Sequence, residues 1–317
     1  MKKTMKRVLK FVIESLVVVF IIYSVFSAGR YVKSKKDVNN KQQETSQQTQ
    51  NNNTNNNNDN QTGKNQEKRK LSQVELDNAM NNVVEKYKGN NEISIIYKNF
   101  STGYRFAVED DHYFTAASTV KVVYAMKIYD RISAGEITKN TEIAYNSKFL
   151  EAGGGEITNQ QKKSSYPLDY VIQNMIQYSD NTATRMLVGN SATAADVLTK
   201  YFAQLGITLP LAEAQKNRVT PKMMEEVWTK LYNEREKYPD LIKYLEDSED
   251  NEWIKEGITG KKIASKYGGI DANMHDTAIV FGDEDYMLLI YTNNLRNSGE
   301  SITQIAKEID NLTENNM

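Results

Sequence analysis

Strand-like segments stand at both ends of the stretch 71–317, and the long helix-periodic segments fill its middle or flank it. On the amino-terminal side 92–98 and 104–109 read as strands, with Asn99-Phe100-Ser101-Thr102-Gly103 placed to turn a hairpin. On the carboxy-terminal side 261–267, 276–282 and 285–292 alternate or run apolar in the same way. That order predicts one antiparallel sheet formed from both chain ends and flanked by helices. An all-helical lobe is inserted between its strands, an α+β arrangement within the α/β class. Apolar spacing predicts helices over 71–88, 116–133, 167–178, 182–188, 192–204, 221–236 and 299–313. Thr220 and Pro221 suit the N-cap and first helical position of 221–236.

Residues 1–70 are of another kind. The tail 1–10 carries Lys2, Lys3, Lys6, Arg7 and Lys10, and 11–28 is an 18-residue, mostly apolar run interrupted by Glu14. A run of about that length can cross a bilayer as a helix, with the basic tail in the cytoplasm. The expectation is a signal-anchor at 11–28, with a cleaved signal peptide as the alternative. Residues 29–70 form an Asn/Gln-rich linker that cannot bury apolar surface and is expected to be disordered. Its 34 residues from Asp37 would span roughly 30–35 Å as a flexible coil. The domain 71–317 then lies outside the cytoplasm, held at the cell membrane by a single pass, or secreted if the signal is cleaved.

Charge and composition narrow the chemistry. Residues 1–70 hold 14 Lys+Arg and 5 Asp+Glu, and the remainder 26 and 36, so an acidic body follows a basic head. An acidic body argues against nucleic acid as a partner. The sequence has no Cys and only 2 His. That excludes a cysteine nucleophile, a disulfide scaffold, lipoprotein attachment and a zinc site of clustered His and Cys. No metal or cofactor is expected, and hydrolytic chemistry falls to Ser, Lys, Asp or Glu.

Three short motifs occur in order: Ser118-Thr119-Val120-Lys121, Ser179-Asp180-Asn181 and Lys266-Tyr267-Gly268. Ser118 and Lys121 are three apart on a predicted helix, so their side chains share a face about 5–6 Å apart. A serine hydroxyl needs a base to take its proton, and Lys121 is the local candidate. It sits in the apolar run Val120-Lys121-Val122-Val123-Tyr124-Ala125-Met126. Burial there, with Lys266 nearby, is expected to lower its pKa so that a neutral amine can act as general base.

The ordered triplets resemble the signature set of serine β-lactamases and penicillin-binding proteins. The stretch SDNTATRMLV, the Thr220-Pro221 helix start and His275-Asp276-Thr277-Ala278-Ile279-Val280 extend the resemblance to the class A β-lactamase-like family over roughly 71–314. The resemblance implies that Ser118 is the acylated nucleophile and that Ser179 relays a proton between Lys121 and the leaving nitrogen. It further implies that Asn181 binds the substrate's side-chain amide and that Lys266 attracts its carboxylate. Gly268 lets the strand approach, and the N–H groups of Ser118 and Gly269 would hold the oxyanion.

Two positions depart from the family pattern. Tyr267 stands where Thr or Ser usually helps hold the substrate carboxylate. The glutamate that activates the deacylating water has its nearest match in Glu213-Ala214-Gln215-Lys216-Asn217, within a short segment before Thr220. Glu213 with Asn217 is either that water-activating pair or an ordinary loop residue and its neighbour. His275 and Asp276 are expected to orient strand ends, His112 to be a surface or packing histidine, and Gly153-Gly154-Gly155 to form a flexible connection.

The expectation is a serine acyl-transfer hydrolase that opens β-lactam rings through a Ser118 acyl-enzyme, slowly if Glu213 does not serve. A penicillin-binding D-Ala-D-Ala carboxypeptidase or transpeptidase is the alternative, with peptidoglycan stem peptides as substrate. A non-catalytic cell-wall binding module is the rival from another class.

Overall fold

A computed structural model describes residues 70–249 and 253–316. The basic tail, the membrane span and all but the last residue of the linker expected at 1–70 lie outside the described residues. No helix among the described residues is long and apolar enough to cross a membrane.

Chain order begins α1 (Gln73–Lys88), β1 (Glu92–Asn99), β2 (Arg105–Val108), β3 (Phe114–Thr115), a 3₁₀ turn (Ala117–Val120) and α2 (Lys121–Ser133). It continues through β4 (Glu142–Ala144), α3 (Glu156–Asn159), β5 (Ser165–Pro167), α4 (Leu168–Gln177), α5 (Asn181–Val188) and α6 (Ser191–Gln204). Next come α7 (Leu211–Gln215), β6 (Arg218–Val219), α8 (Pro221–Asn233), α9 (Pro239–Glu246) and α10 (Trp253–Gly257). The chain closes with β7 (Lys262–Ile270), β8 (Asn273–Phe281), β9 (Tyr286–Asn293) and α11 (Ser298–Glu314).

The main sheet has the order β2-β1-β9-β8-β7, antiparallel throughout. Both chain ends therefore meet at the β1–β9 pair, where Ile95 faces Ile290 and Ile96 faces Leu289. Strand alternation sends successive side chains to opposite faces. Ile93, Ile95, Tyr97, Leu288 and Ile290 pack with α1 and α11. Ile96, Met287, Leu289 and Tyr291 pack with the helical lobe around α2 and α8. Each such Ile or Leu, buried completely, contributes about 1.5–3 kcal/mol. Central strands covered on both faces read as continuous apolar runs, which is why they were legible as strands.

Local chemistry trims the expected elements. The first helix starts at Gln73 because Ser72 caps it: its hydroxyl accepts from the Glu75 N–H, and the Glu75 carboxylate accepts from the Ser72 N–H at 2.9 Å. At α8, the Thr220 hydroxyl accepts from Met223 N at 3.2 Å and Pro221 opens the helix, as the sequence predicts. The two-stranded ladders β3–β6 and β4–β5 were not foreseen. Segments of two or three residues carry no readable periodicity.

Candidate active site

The pairing of Phe114 with Val219 and Thr115 with Arg218 delivers the chain to the first motif. The helix expected over 116–133 begins as the 3₁₀ turn and becomes α-helical at Lys121. Ala117, immediately before the serine, holds a left-handed backbone with φ 51°. Such a conformation costs a non-glycine about 1–2 kcal/mol. Ser118 is half-buried in the first turn, whose leading N–H groups have no intrahelical acceptor. Lys121 follows it into the core and is 4% exposed. Its Nζ donates to the Ser179 carbonyl at 2.6 Å and to Asn181 Oδ1 at 2.9 Å, and lies 3.3 Å from Ser179 Oγ.

The second motif joins α4 to α5. Ser179 is also left-handed, with φ 55°. Asp180, fully buried, is the N-cap of α5: Oδ1 accepts from Ala183 N at 2.8 Å and from Thr158 Oγ1 at 2.7 Å, and Oδ2 from Thr158 N at 2.8 Å. Its neighbours are thereby aimed at Lys121. The glycine run expected as a flexible connection is docked onto this motif instead. A Cβ on Gly155 would lie 2.3 Å from Asp180, and one on Gly153 would lie 2.6 Å from Asn181 Nδ2. Asn181 Nδ2 donates to the Ala152 carbonyl at 2.8 Å, so its amide is clamped between that carbonyl and Lys121.

The third motif lies on β7, the edge strand of the main sheet beside the 3₁₀ turn. Lys266, 1% exposed, donates from Nζ to Ser179 Oγ at 3.1 Å. Two buried amines thus converge on one hydroxyl. Gly268 packs against the nucleophile turn so closely that a Cβ would lie 2.9 Å from Ala116 O and Thr119 N and 3.0 Å from Ser118 N. Alternation along β7 turns Tyr267 to the other face, where its ring meets Trp253 edge-on at 4.8 Å. Its hydroxyl lies 3.8 Å from Met274 sulfur. Gly269 lines the cleft.

The short segment after α6 is stitched to the same turn. Asn217, left-handed with φ 54°, accepts on its carbonyl from Ala116 N at 2.8 Å and donates from Nδ2 to Ala117 O at 3.1 Å. Asn217 lines the cleft. Glu213 does not: its Oε2 lies 3.0 Å from Arg218 Nη1, an ion pair out of hydrogen-bond alignment. Of the expected site residues, Ser118, Lys121, Ser179, Asn181, Lys266, Gly268 and Gly269 are brought together. Glu213 and Tyr267 face elsewhere.

His275 and Asp276 are buried supports. His275 Nδ1 accepts from Thr292 N at 3.1 Å, which leaves the proton on Nε2 to donate to Thr115 O at 2.8 Å. Burial lowers its pKa to about 4, so the ring is neutral while it ties β8 to β3. Asp276 accepts from Ile254 N and Thr277 N, both at 2.9 Å, yet burial outweighs these bonds and raises its pKa to about 7. Between about pH 4 and 7 the native carboxyl stays protonated while the unfolded one ionises. The native state then binds more protons, and stability falls as pH rises. Relative to an Asp276→Asn variant, the wild type should lose about 4 kcal/mol across that window. Denaturant titrations at stepped pH measure this; parallel pH profiles would remove the buried protonated carboxyl. His275 acts oppositely, since only the unfolded ring takes up a proton between about pH 6.5 and 4, and the variant should expose that rise with pH.

The cleft bounded by Ser118, Lys121, Asn181, Asn217 and Gly269 has a volume of about 290 Å³. Its wall continues over Glu151, Thr184, Arg185 and the turn from α5 to α6. Glu151 and Arg185, joined at 3.0 Å, were not singled out from the sequence, although Arg185 lies one turn beyond Asn181. A hydroxyl at a helix start, a buried amine one turn on, a second hydroxyl between two amines and a strand edge opposite form an arrangement suited to acyl transfer.

Fold and site together define a protein of the serine β-lactamase and penicillin-binding type. The profile of the beta-lactamase enzyme family matches residues 75–312, and the chain belongs to that family. Beta-lactamase SME-1 of Serratia marcescens is 27% identical over 105 residues, 33% of this chain and 35% of that relative's length. The fold is similar to PBP-A, a mutant of which was solved as an acyl-enzyme complex with penicillin G. That likeness has a TM-score of 0.67 at 21% identity and covers 76% of this chain and 97% of the other. A beta-lactamase from Sphaerobacter thermophilus aligns with a TM-score of 0.64 at 19% identity, over 74% and 95% of the two chains. The class A beta-lactamase of the last common ancestor of Gram-negative bacteria aligns at 0.66 and 17% identity, over 75% and 99%.

Proposed function

We propose that Ser118 is acylated by β-lactams and related D-amino-acid amides, and that the acyl-enzyme is hydrolysed slowly. The observation that carries this reading is the convergence of Lys121 and Lys266 on Ser179 Oγ, at 3.3 and 3.1 Å, beside a cleft that Ser118 lines. In the reaction, neutral Lys121 takes the proton of Ser118 Oγ as the oxygen bonds to the substrate carbonyl carbon. The oxyanion is held by the N–H groups of Ser118 and Gly269. Collapse breaks the carbon–nitrogen bond, and Lys121 returns its proton through Ser179 to the leaving nitrogen. Asn181 holds the acyl-side amide. Lys266 draws in the leaving group's carboxylate without help from Tyr267, which faces Trp253.

Hydrolysis of the ester needs a base for water, and the ion pair of Glu213 with Arg218 supports a reading in which Glu213 does not supply it. Losing a positioned general base costs about 10²–10⁴-fold in rate. This favours a long-lived penicillin adduct, the behaviour of a penicillin-binding wall enzyme, over rapid antibiotic turnover. The substrates in question lie outside the cytoplasm, consistent with an anchored or secreted body.

Intact-protein mass spectrometry after exposure to benzylpenicillin tests the proposal. A lasting adduct of one penicillin, mapped to Ser118 and lost in Ser118→Ala, is expected. Fast disappearance of the adduct with penicilloate release would make the protein an efficient β-lactamase. Absence of any adduct would leave only a binding role.

A further inference from the structure

The cleft extends along α5 beyond the residues used above. Asn181 and Arg185 stand at i and i+4 on α5, so they share one helix face about one turn apart, and both line the cleft with Ser118. Arg185 donates from Nη1 to Glu151 Oε2 at 3.0 Å. Among the described residues none hydrogen-bonds to its other edge, formed by Nε and Nη2, and Nε is buried without a partner. Nε lies beneath the surface, whereas Nη2 is neither hydrogen-bonded nor buried and offers its N–H groups to a carboxylate oxygen in the cleft, a charge-assisted bond. The side chain is 35% exposed, so a ligand in the cleft can reach the guanidinium.

Resting on the reading of Ser118 as nucleophile and Asn181 as holder of the acyl-side amide, we propose that Arg185 is a specificity-determining residue. It binds a carboxylate carried on the acyl side of the scissile bond. The substrate class is therefore an acidic acyl group, such as a peptide amide whose acyl-side residue bears a free carboxylate. Glu151 holds the guanidinium in place and repels such a group in part.

Acylation of the full chain by three penicillins tests this: benzylpenicillin, carbenicillin, which adds a carboxylate to the same acyl side chain, and ampicillin, which adds an ammonium. In the wild type the second-order rate constant for carbenicillin is expected to exceed that for benzylpenicillin by about tenfold, with ampicillin slowest. Arg185→Gln should bring the carbenicillin-to-benzylpenicillin ratio to about one or below, and Arg185→Lys should leave it intermediate. Should Arg185→Gln fold poorly, Glu151→Gln supplies the second measurement, because losing the competing carboxylate should raise the ratio. Equal rate constants for the three penicillins in the wild type, or a ratio unmoved by these substitutions, overturns the role of Arg185 alone. No adduct with any of the three overturns the assignment of Ser118, and the inference with it.

Discussion

Lys121→Met is expected to slow acylation of Ser118 by benzylpenicillin by about 10²–10⁴-fold, the range that a positioned general base supplies. The substitution keeps the length and apolar stem of the side chain while removing its nitrogen. It also removes the donor for the Ser179 carbonyl and Asn181 Oδ1, which lie 2.6 and 2.9 Å from Nζ. Some loss of stability follows, about 1–3 kcal/mol for acceptors left buried. Denaturant unfolding separates that loss from the catalytic one, since a folded variant that acylates slowly has lost the base. Wild-type acylation by Lys121→Met would transfer the proton-accepting role to another group.

Gly268→Ala should lower acylation by about 10²-fold, because a displacement of about 1 Å at a reacting group has that consequence. The added methyl would meet Ala116 O, Thr119 N and Ser118 N at 2.9–3.0 Å. All three are backbone atoms, so no rotamer change can make room. Either β7 moves away from the 3₁₀ turn or the turn shifts, and both separate the Ser118 and Gly269 N–H groups. A stability loss of about 1–3 kcal/mol accompanies such overpacking. Gly282→Ala is the matched control on the next strand connection, where the nearest atom to an added Cβ is 3.5 Å away on the flexible Lys261 side chain. Equal acylation by Gly268→Ala and Gly282→Ala would show that the close approach of β7 is unimportant to the reaction.

The sheet built from both chain ends was legible because β1, β8 and β9 are covered on both faces, so that β9 carries an unbroken apolar run over 286–291 and β1 and β8 carry shorter ones at 95–97 and 278–281. The α8 start was legible because Thr220 and Pro221 act within one turn of chain. The ladders β3–β6 and β4–β5 and the helices α9 and α10 were not. Their residues are few, and their pairing or packing is set by segments far off in the chain. The docked glycine loop was misread for a related reason: Gly153 and Gly155 are required by Asp180 and Asn181, which follow them by more than twenty residues.

By itself the sequence determined the chemical types available at the site. With no Cys and 2 His, hydrolytic chemistry fell to Ser, Lys, Asp or Glu, and the spacing of Ser118 and Lys121 placed them one turn apart. Tertiary structure alone decided which groups meet. It brought Lys266 across to share Ser179 with Lys121, turned Tyr267 towards Trp253, and set Glu213 against Arg218 rather than in the cleft. Residue types and local turns follow from neighbours along the chain, whereas the direction a loop or strand side chain takes depends on surfaces that only folding brings beside it.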